Sequence, residues 1–274
     1  MTTRIAFIGG GNMATSLAGG LLAAGASPAS IIVAEPDADR RAQLSNQLDV
    51  ATTADNLETL LQDVVVLSVK PQLMQTVCRQ LAESANVNNP LYVSIAAGIR
   101  TADIARWLGG GVAVVRCMPN TPALIQCGAT ALYANKSVSE AQQNLADEIL
   151  RAAGNTAWVT DEDLLDVVTA VSGSGPAYFF LLMEAMQKTA VKLGLDKETA
   201  TSLTLQTALG AARMANESEL DVQELRARVT SKGGTTAAAI SSFEHDDFHR
   251  NVSKALNAAY NRSRELADEL GKDI

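Results

Sequence analysis

Residues 5–14 read IAFIGGGNMA, and this stretch decides the fold of the first half of the chain. The apolar run Ile5–Ile8 has the length and composition of a buried strand. The glycines after it match G-x-G-x-x-A, with Gly9, Gly11 and Ala14 in the key positions. Such a loop turns tightly, lets a pyrophosphate approach the backbone and packs a helix against the strand. The stretch predicts strand, phosphate-binding loop and helix in succession, although a merely flexible turn has the same composition.

Strand-like and helix-like stretches continue to alternate over the first 160 residues. Short β-branched runs alternate there with helical stretches, a pattern typical of βαβ units. Further strands are predicted at 31–34, 64–69, 91–95 and 112–116, with amphipathic helices at 72–85 and 101–108. Residues 64–69 (VVVLSV) are apolar on both faces, as expected for a strand in the middle of a covered parallel sheet. We predict an α/β, Rossmann-type doubly wound sheet over residues 1–160.

Residues 161–274 differ, because they contain no convincing strand. The sequence Thr160-Asp161-Glu162-Asp163 resembles a helix N-cap with acids in the first turn. The stretches 176–194 and 198–215 are apolar almost all round, and helices without a polar face must be buried. One chain cannot easily cover two such helices, so we predict an all-α domain over residues 161–274 that forms a homodimer.

Composition narrows the partners and the compartment. With 30 acidic and 22 basic residues the net charge is −8, which opposes nucleic-acid binding over a broad surface. The N-terminal residues lack the features of a leader peptide, and no uninterrupted apolar run reaches the ~20 residues of a membrane helix. We therefore expect a cytoplasmic protein that acts on a small molecule, without a membrane or nucleic-acid partner.

The metal-binding residue types do not form a recognisable site. Cys78, Cys117 and Cys127 lack C-x-x-C spacing, so we expect small buried thiols rather than disulfides or zinc ligands. His245 and His249 are four residues apart but lack the H-E-x-x-H order, so we interpret them as a surface pair on one acidic helix. No metal is predicted.

The glycine loop and its surroundings predict a nicotinamide dinucleotide as cofactor. The loop contacts are assigned to Ile8, Gly9, Gly10, Gly11, Asn12 and Met13. Glu35 ends the second strand, where an acid binds the adenosine ribose and repels a 2′-phosphate. Arg40 and Arg41 follow closely and could accept that phosphate, or they could be solvated residues on a helix. The sequence leaves the choice between NADH and NADPH open.

Four more short motifs, called islands below, follow in order along the chain. They are 70–72 (KPQ), 116–123 (RCMPNTPA), 172–178 (SGSGPAY) and 229–236 (VTSKGGTT). Together with the glycine loop they resemble the pyrroline-5-carboxylate reductase family, although Lys232 stands where that family often has proline. The resemblance implies a C-terminal domain that dimerises, with dimers often assembled into decamers. It also implies that NADPH or NADH reduces a cyclic imine to L-proline, the last step of proline biosynthesis.

The last island predicts the substrate site. Gly233 and Gly234 allow close approach of the backbone, and an alanine-rich helix follows them. Its free N–H groups and the hydroxyls of Ser231, Thr235 and Thr236 could hold a carboxylate without an arginine. A lone GGTT would favour a plain N-cap, and the other islands reverse that preference. By the resemblance Thr236 is the catalytic residue, which orients the ring and relays a proton to its nitrogen.

Further cofactor contacts are expected where strands end. They are Asn56, Ser68, Val69, Lys70, Pro71, Ala96, Ala97 and Asn120, of which Asn56, Lys70 and Ala97 follow from the resemblance. Pro71 stops regular structure at a strand end, and the small residues around Ala96 leave room for the nicotinamide ribose. Asn120, between Pro119 and Pro122, is a rigid amide suited to the nicotinamide or the substrate. A plain turn or packing role stays open for each residue.

Two other functions fit part of the sequence. A β-hydroxyacid dehydrogenase shares the domain order but uses a lysine general base early in its second domain. This chain has no lysine between Lys136 and Lys188. A nucleotide-sensing regulator would need the glycine loop but not the anion site at 233–236.

Overall fold

One mixed sheet organises the first part of the chain in a computed structural model, which describes residues 3–272. Its strands are β1 (Ile5–Ile8), β2 (Ile31–Ala34), β3 (Ala51–Thr53), β4 (Val64–Leu67), β5 (Leu91–Ser94), β6 (Val114–Met118), β7 (Gly128–Ala134) and β8 (Gly154–Trp158). They lie in the order β3-β2-β1-β4-β5-β6-β7-β8, and the strands from β3 to β6 are all parallel. The predicted doubly wound sheet is confirmed.

The helices include those predicted at 72–85, 101–108, 176–194 and 198–215, together with others for which no range was predicted. They are α1 (Asn12–Ala23), α2 (Ala38–Leu48), α3 (Pro71–Leu81), α4 (Thr101–Trp107), α5 (Glu140–Arg151), α6 (Leu164–Val168), α7 (Gly175–Lys192), α8 (Lys197–Glu217), α9 (Val222–Arg228), α10 (Thr235–His245) and α11 (Phe248–Leu270). A π-helical turn, Thr169–Gly173, joins α6 to α7. Among the described residues no strand follows β8, as predicted for the helical region.

Side chains of β4 alternate between two apolar clusters, one on each face of the sheet. Val64 and Val66 pack with residues of α1 and α5, whereas Val65 and Leu67 pack with residues of α3 and α4. All four are fully buried. The prediction that this strand lies in the middle of a covered parallel sheet is therefore confirmed.

Three strands were not predicted from sequence. β3 is short and partly exposed, and β7 and β8 read GATALYA and GNTAW, with few β-branched residues. β7 runs antiparallel to β6 and then parallel to β8. Only a short 3-10 segment, Thr121–Ile125, separates β6 from β7, because an antiparallel neighbour needs no crossover helix.

The cap predicted at Thr160 is wrong. The helix begins at Leu164, and the cap residue Asp163 makes no side-chain cap bond. The carboxylate of Glu162 instead accepts hydrogen bonds from the backbone N–H of Thr101, at 2.7 Å, and from its hydroxyl, at 2.8 Å. This carboxylate thus caps the start of α4, 61 residues away in sequence, and not the helix that follows it.

Two further local interpretations need correction. Cys78 and Cys117 are buried as expected, and burial raises the pKa of the Cys78 thiol to about 12. Cys127 is exposed, however, because it follows the left-handed residue that ends the 3-10 segment. His245 and His249 do not share a helix, since α10 ends at His245 and α11 begins at Phe248, with Asp247 between them at φ +55°.

The chain divides into two compact units. The first runs to Ser174 and also contains the stretch from Ala259 onward, and the second is Gly175–Ala258. This division does not follow the boundary expected after residue 160, because α6 and the end of α11 pack with the sheet. The expected domain boundary stays a prediction.

Buried polar groups explain why α6 and the end of α11 belong to the first unit. Arg116 on β6 is only 3 % exposed, and its Nη1 lies 3.2 Å from Glu162 Oε1. Its Nη2 lies 4.0 Å from Asp166 Oδ1, the oxygen that also accepts a 2.7 Å hydrogen bond from the hydroxyl of Ser263. Buried charges are tolerated only when they are paired and hydrogen-bonded, so these contacts tie both helices to the sheet.

The helix α7 leaves apolar side chains uncovered in the single chain. Phe179, Phe180 and Leu181 are each more than 60 % exposed. Within residues 3–272 the run Leu164–Lys192 is long and apolar enough, by length and composition, to cross a membrane, and 22 % of its most apolar window is buried. Asp166 and Glu184 interrupt this run, so it does not contradict the prediction that no uninterrupted apolar run reaches ~20 residues, and the expected absence of a membrane partner stays a prediction. Such a surface needs an apolar cover.

The buried arginine predicts a stability loss. Replacing Arg116 by Met leaves the buried carboxylate of Asp166 and the partly buried one of Glu162 without their cation, so we expect the free energy of unfolding to fall by about 3–5 kcal/mol. Urea unfolding at one fixed protein concentration measures it. The control is Arg262→Met, whose ion pairs with Glu265 and Glu269 are exposed and screened by solvent, so this variant should lose much less stability. Equal losses in the two variants would contradict the role of Arg116.

Candidate active site

Strand ends bring the predicted cofactor residues to one edge of the sheet. Ile8, Leu67 and Ser94 are in register across β1, β4 and β5, so the residues that follow these strands are neighbours. The predicted residues after β2, β3 and β6 lie at the same edge, because those strands are parallel to the others. Strand order reverses between β1 and β4, which is where doubly wound sheets bind their ligands.

A cavity of about 390 Å³ opens at this point. Its lining includes the predicted residues Ile8, Gly9, Gly10, Gly11, Glu35, Asn56, Ser68, Val69 and Lys70. Leu73 and Val77 of α3 also line it, and we did not predict them. The available signal was their i, i+4 spacing on an amphipathic helix, one turn after the Lys70-Pro71 island.

The glycine loop fits a pyrophosphate. Gly9 has φ +97°, and a Cβ there would lie 2.9 Å from the carbonyl oxygen of Ser68. Gly11 caps α1, and a Cβ built on it would meet open space. The first N–H groups of α1 therefore face a region that a phosphate can enter, with the positive end of the helix dipole behind it. Met13 is half-buried, and Asn12 lines a neighbouring cavity.

Glu35, Arg40 and Arg41 make hydrogen bonds around the glycine loop and the turn after β2. Glu35 Oε2 accepts a 2.8 Å hydrogen bond from the N–H of Gly10, and Oε1 accepts one of 3.1 Å from Asp37. Arg40 Nε donates to the carbonyl of Gly10 at 2.8 Å, and Arg41 Nη1 donates to the carbonyl of Glu35 at 2.8 Å. Arg40 is thus bonded to the glycine loop and Arg41 to the turn after β2, so neither is freely solvated.

The Lys70-Pro71 island starts a helix as well as ending a strand. Lys70 is the cap residue of α3, and Pro71 is its first residue, where the missing N–H costs nothing. The island therefore fixes where α3 begins beside the cavity. Ala96 is buried and Ala97 half-buried after β5, so their contact with a nicotinamide ribose stays a prediction.

Asn120 makes two structural hydrogen bonds that were not predicted from the sequence. Its Nδ2 donates to the carbonyl of Ser172 at 3.0 Å, and its Oδ1 accepts from the N–H of Ala129 at 2.9 Å. Four residues after Ser172 stands Pro176, which has no N–H to donate. Asn120 thus satisfies the carbonyl that the proline leaves unpaired at the π-helical turn. Its contact with the nicotinamide stays a prediction.

The second predicted site lies within Gly175–Ala258. Gly233 has φ +74° and turns the chain, and the N–H of Gly234 donates to the carbonyl of Ser231 at 3.0 Å. A Cβ on Gly234 would lie 2.5 Å from the hydroxyl oxygen of Ser231, so a larger residue there would displace that side chain. The helix α10 begins at Thr235, directly after the loop, as predicted. Thr236 is half-buried in its first turn.

Known proteins resemble this chain over its whole length. Residues 162–266 match the family described as pyrroline-5-carboxylate reductase dimerisation, and residues 4–98 match the family of coenzyme F420-dependent NADP oxidoreductases. A pyrroline-5-carboxylate reductase of Pseudomonas aeruginosa is 55 % identical over 272 residues, 99 % of each chain.

Solved structures agree with these matches. A pyrroline-5-carboxylate reductase from Coxiella burnetii has a TM-score of 0.94 and 47 % identity, covering 97 % of this chain and 99 % of the other. A pyrroline carboxylate reductase from Plasmodium falciparum with NADP bound has a TM-score of 0.85 and 28 % identity, covering 97 % and 98 %. The sheet with its glycine loop, the helical region and the sequence identity lead to one conclusion: the chain belongs to the pyrroline-5-carboxylate reductase family.

Proposed function

We propose that the chain reduces pyrroline-5-carboxylate to L-proline. The main observation in support is the loop 231–236, which leads into α10. The helix is capped by a glycine, so the first N–H groups of α10 are available to a ligand. The substrate is a five-membered ring with one carboxylate and one C=N bond. Membership of the family and the cofactor cradle at β1 and β4 support the same reaction.

The anion site relies on backbone dipoles. Because Gly234 has no side chain, the cap leaves the N–H groups of Thr235, Thr236 and Ala237 for a carboxylate. The hydroxyls of Ser231 and Thr235 lie at the same helix start and can donate as well. An arginine is unnecessary here, since charge-assisted bonds to several N–H groups are strong.

We assign proton handling and ring orientation to Thr236. Its hydroxyl can donate to the imine nitrogen and hold the ring plane, while the loop holds the carboxylate. Bound NAD(P)H would supply the hydride to the imine carbon, and the Thr236 hydroxyl would relay from solvent the proton that the nitrogen takes up. Two reactants held in this way gain about 7–11 kcal/mol from orientation alone, so the side chains need to supply little further chemistry.

The remaining cofactor contacts are assigned by their positions. The residues Ile8, Gly9, Gly10, Gly11, Asn12 and Met13 would hold the pyrophosphate, and Glu35 and Asn56 the adenosine. Ser68, Val69, Lys70, Pro71, Ala96, Ala97 and Asn120 would line the path toward the nicotinamide. The cavity around most of these residues supports the assignment.

We propose that a second copy of the chain covers α7. The matched dimerisation family spans residues 162–266, which include this helix, so oligomer formation has support beyond exposure. An apolar helix can be covered by a partner or by lipid, and the family match favours the partner. We further propose assembly of dimers into decamers and a cytoplasmic location.

Turnover tests the catalytic assignment. We expect Thr236→Ala to fold normally and to lose about 100-fold in kcat, at the lower end of what a positioned proton donor contributes. Initial rates with pyrroline-5-carboxylate and each reduced nicotinamide measure the effect. Thr236→Ser keeps the hydroxyl and should retain much of the rate.

A matched control separates this role from loop damage. The hydroxyl of Thr230 donates to the carbonyl of Arg226 at 2.6 Å, so Thr230→Ala changes a nearby threonine that is occupied locally. We expect near-normal turnover. Activity of Thr236→Ala equal to that of this control would refute the assignment, and a wild type that binds dinucleotide without turnover would instead favour a regulator.

Mass in solution tests the oligomer. We expect Leu181→Asp to shift the protein toward single chains, because the new charge would have to be buried against the partner. Light scattering after gel filtration measures it. Val87 is 73 % exposed in the first unit, so Val87→Asp adds the same charge elsewhere and should leave the mass unchanged. A wild type that is itself a single chain, or that requires detergent, would contradict the proposal.

A further inference from the structure

We propose that this chain prefers NADH to NADPH and that the carboxylate of Glu35 sets the preference. The inference rests on the proposed function, since it concerns the hydride donor of that reaction. It is not implied by the relatives, one of which holds NADP. The sequence left the choice open between an acid at the end of β2 and two arginines after it.

The acid is fixed at the edge of the cofactor cavity. Glu35 lines the same cavity as Gly9, Gly10 and Gly11. Its two oxygens are held by the N–H groups of Gly10, at 2.8 Å, and Asp37, at 3.1 Å, so the carboxylate is anchored at both ends. An ionised carboxylate has about four acceptor positions, and two are still available for ribose hydroxyls. The adenosine ribose lies at this strand end in doubly wound sheets.

A 2′-phosphate at this position would meet an unfavourable field. It carries a charge of about −1.5 to −2 near neutral pH, by analogy with other phosphate monoesters. Glu35 would stand beside it, and Asp37 and Asp39 begin the next helix, α2. Like charges placed together cost affinity, whereas uncharged ribose hydroxyls gain hydrogen bonds from the same carboxylate.

Arg40 and Arg41 already donate hydrogen bonds to protein oxygens. Arg40 donates to the carbonyl of Gly10 at 2.8 Å and to the hydroxyl of Thr15 at 2.9 Å. Arg41 Nη1 bridges the carbonyls of Glu35 and Pro36, each at 2.8 Å. If Arg40 turned toward a phosphate, the carbonyl of Gly10 would lose its donor. If Arg41 did so, the carbonyls of Glu35 and Pro36 would lose theirs. Among the described residues that line the cavity, the cation is Lys70, after β4, while the acid is Glu35, after β2.

Direct binding tests the inference apart from catalysis. Fluorescence titration of the full-length protein gives Kd values for NADH and NADPH without substrate. We expect wild type to bind NADH about tenfold or more tightly. Glu35→Gln should reduce this ratio about tenfold, because its amide oxygen can still accept from Gly10 while the charge is gone. The control Glu58→Gln removes an exposed charge from the 3-10 segment Asn56–Leu61 and should leave the ratio unchanged.

A third variant examines the arginines. Arg41→Gln should weaken the binding of NADH and NADPH to a similar degree, because in the proposal Arg41 supports the turn after β2 that carries Glu35. Selective loss of NADPH binding would overturn the inference, as would a wild type that binds NADPH more tightly, or an unchanged ratio in Glu35→Gln. The wild-type ratio alone is decisive if a variant fails to fold. Absence of turnover with both cofactors would refute the proposed function and leave this ratio intact.

Discussion

The structure depends on one close approach, that of Gly9 to the backbone of Ser68. It occurs where β1 and β4 end side by side, at the point where the strand order reverses. A side chain here would strike a carbonyl oxygen, and φ is positive, so only glycine lets the two strand ends meet. This contact sets the start of α1, the cavity beside it and the position of Glu35 under the loop. The cofactor edge of the sheet follows from it.

The rest of the first unit is held by buried polar groups that complete one another. Arg116 pairs with the carboxylates of Glu162, just before α6, and Asp166, within it, and Asn120 supplies the hydrogen bond that Pro176 cannot make. No buried side-chain nitrogen or oxygen within residues 3–272 lacks a hydrogen-bond partner. Specific hydrogen bonds thus hold the π-helical turn Thr169–Gly173 against the sheet of the first unit, where apolar packing alone would allow it to slide.

Sequence reasoning succeeded where the determining interactions are local. The glycine loop, the apolar strand at 64–69 and the long helices each carry their signal within a few residues. It failed where partners are distant: Glu162 bonds with Thr101, and Asn120 with Ser172, across more than 50 positions. It also missed β7 and β8, whose small residues become strands only because neighbouring strands pair with them. For the candidate site, the cavity lining was largely predicted, but the bonds that position Asn120 and the arginines were not.

The return of α11 has a consequence for biogenesis. The first unit consists of two separate segments, since the stretch from Ala259 onward packs with the sheet through contacts such as Ser263 with Asp166. During synthesis from the N-terminus this unit cannot be completed until the whole intervening helical unit has left the ribosome. The chain passes from the first unit to the second and back again. Cleavage or truncation at a single position therefore cannot separate the two units, and a single gene junction cannot transfer one of them intact to another protein.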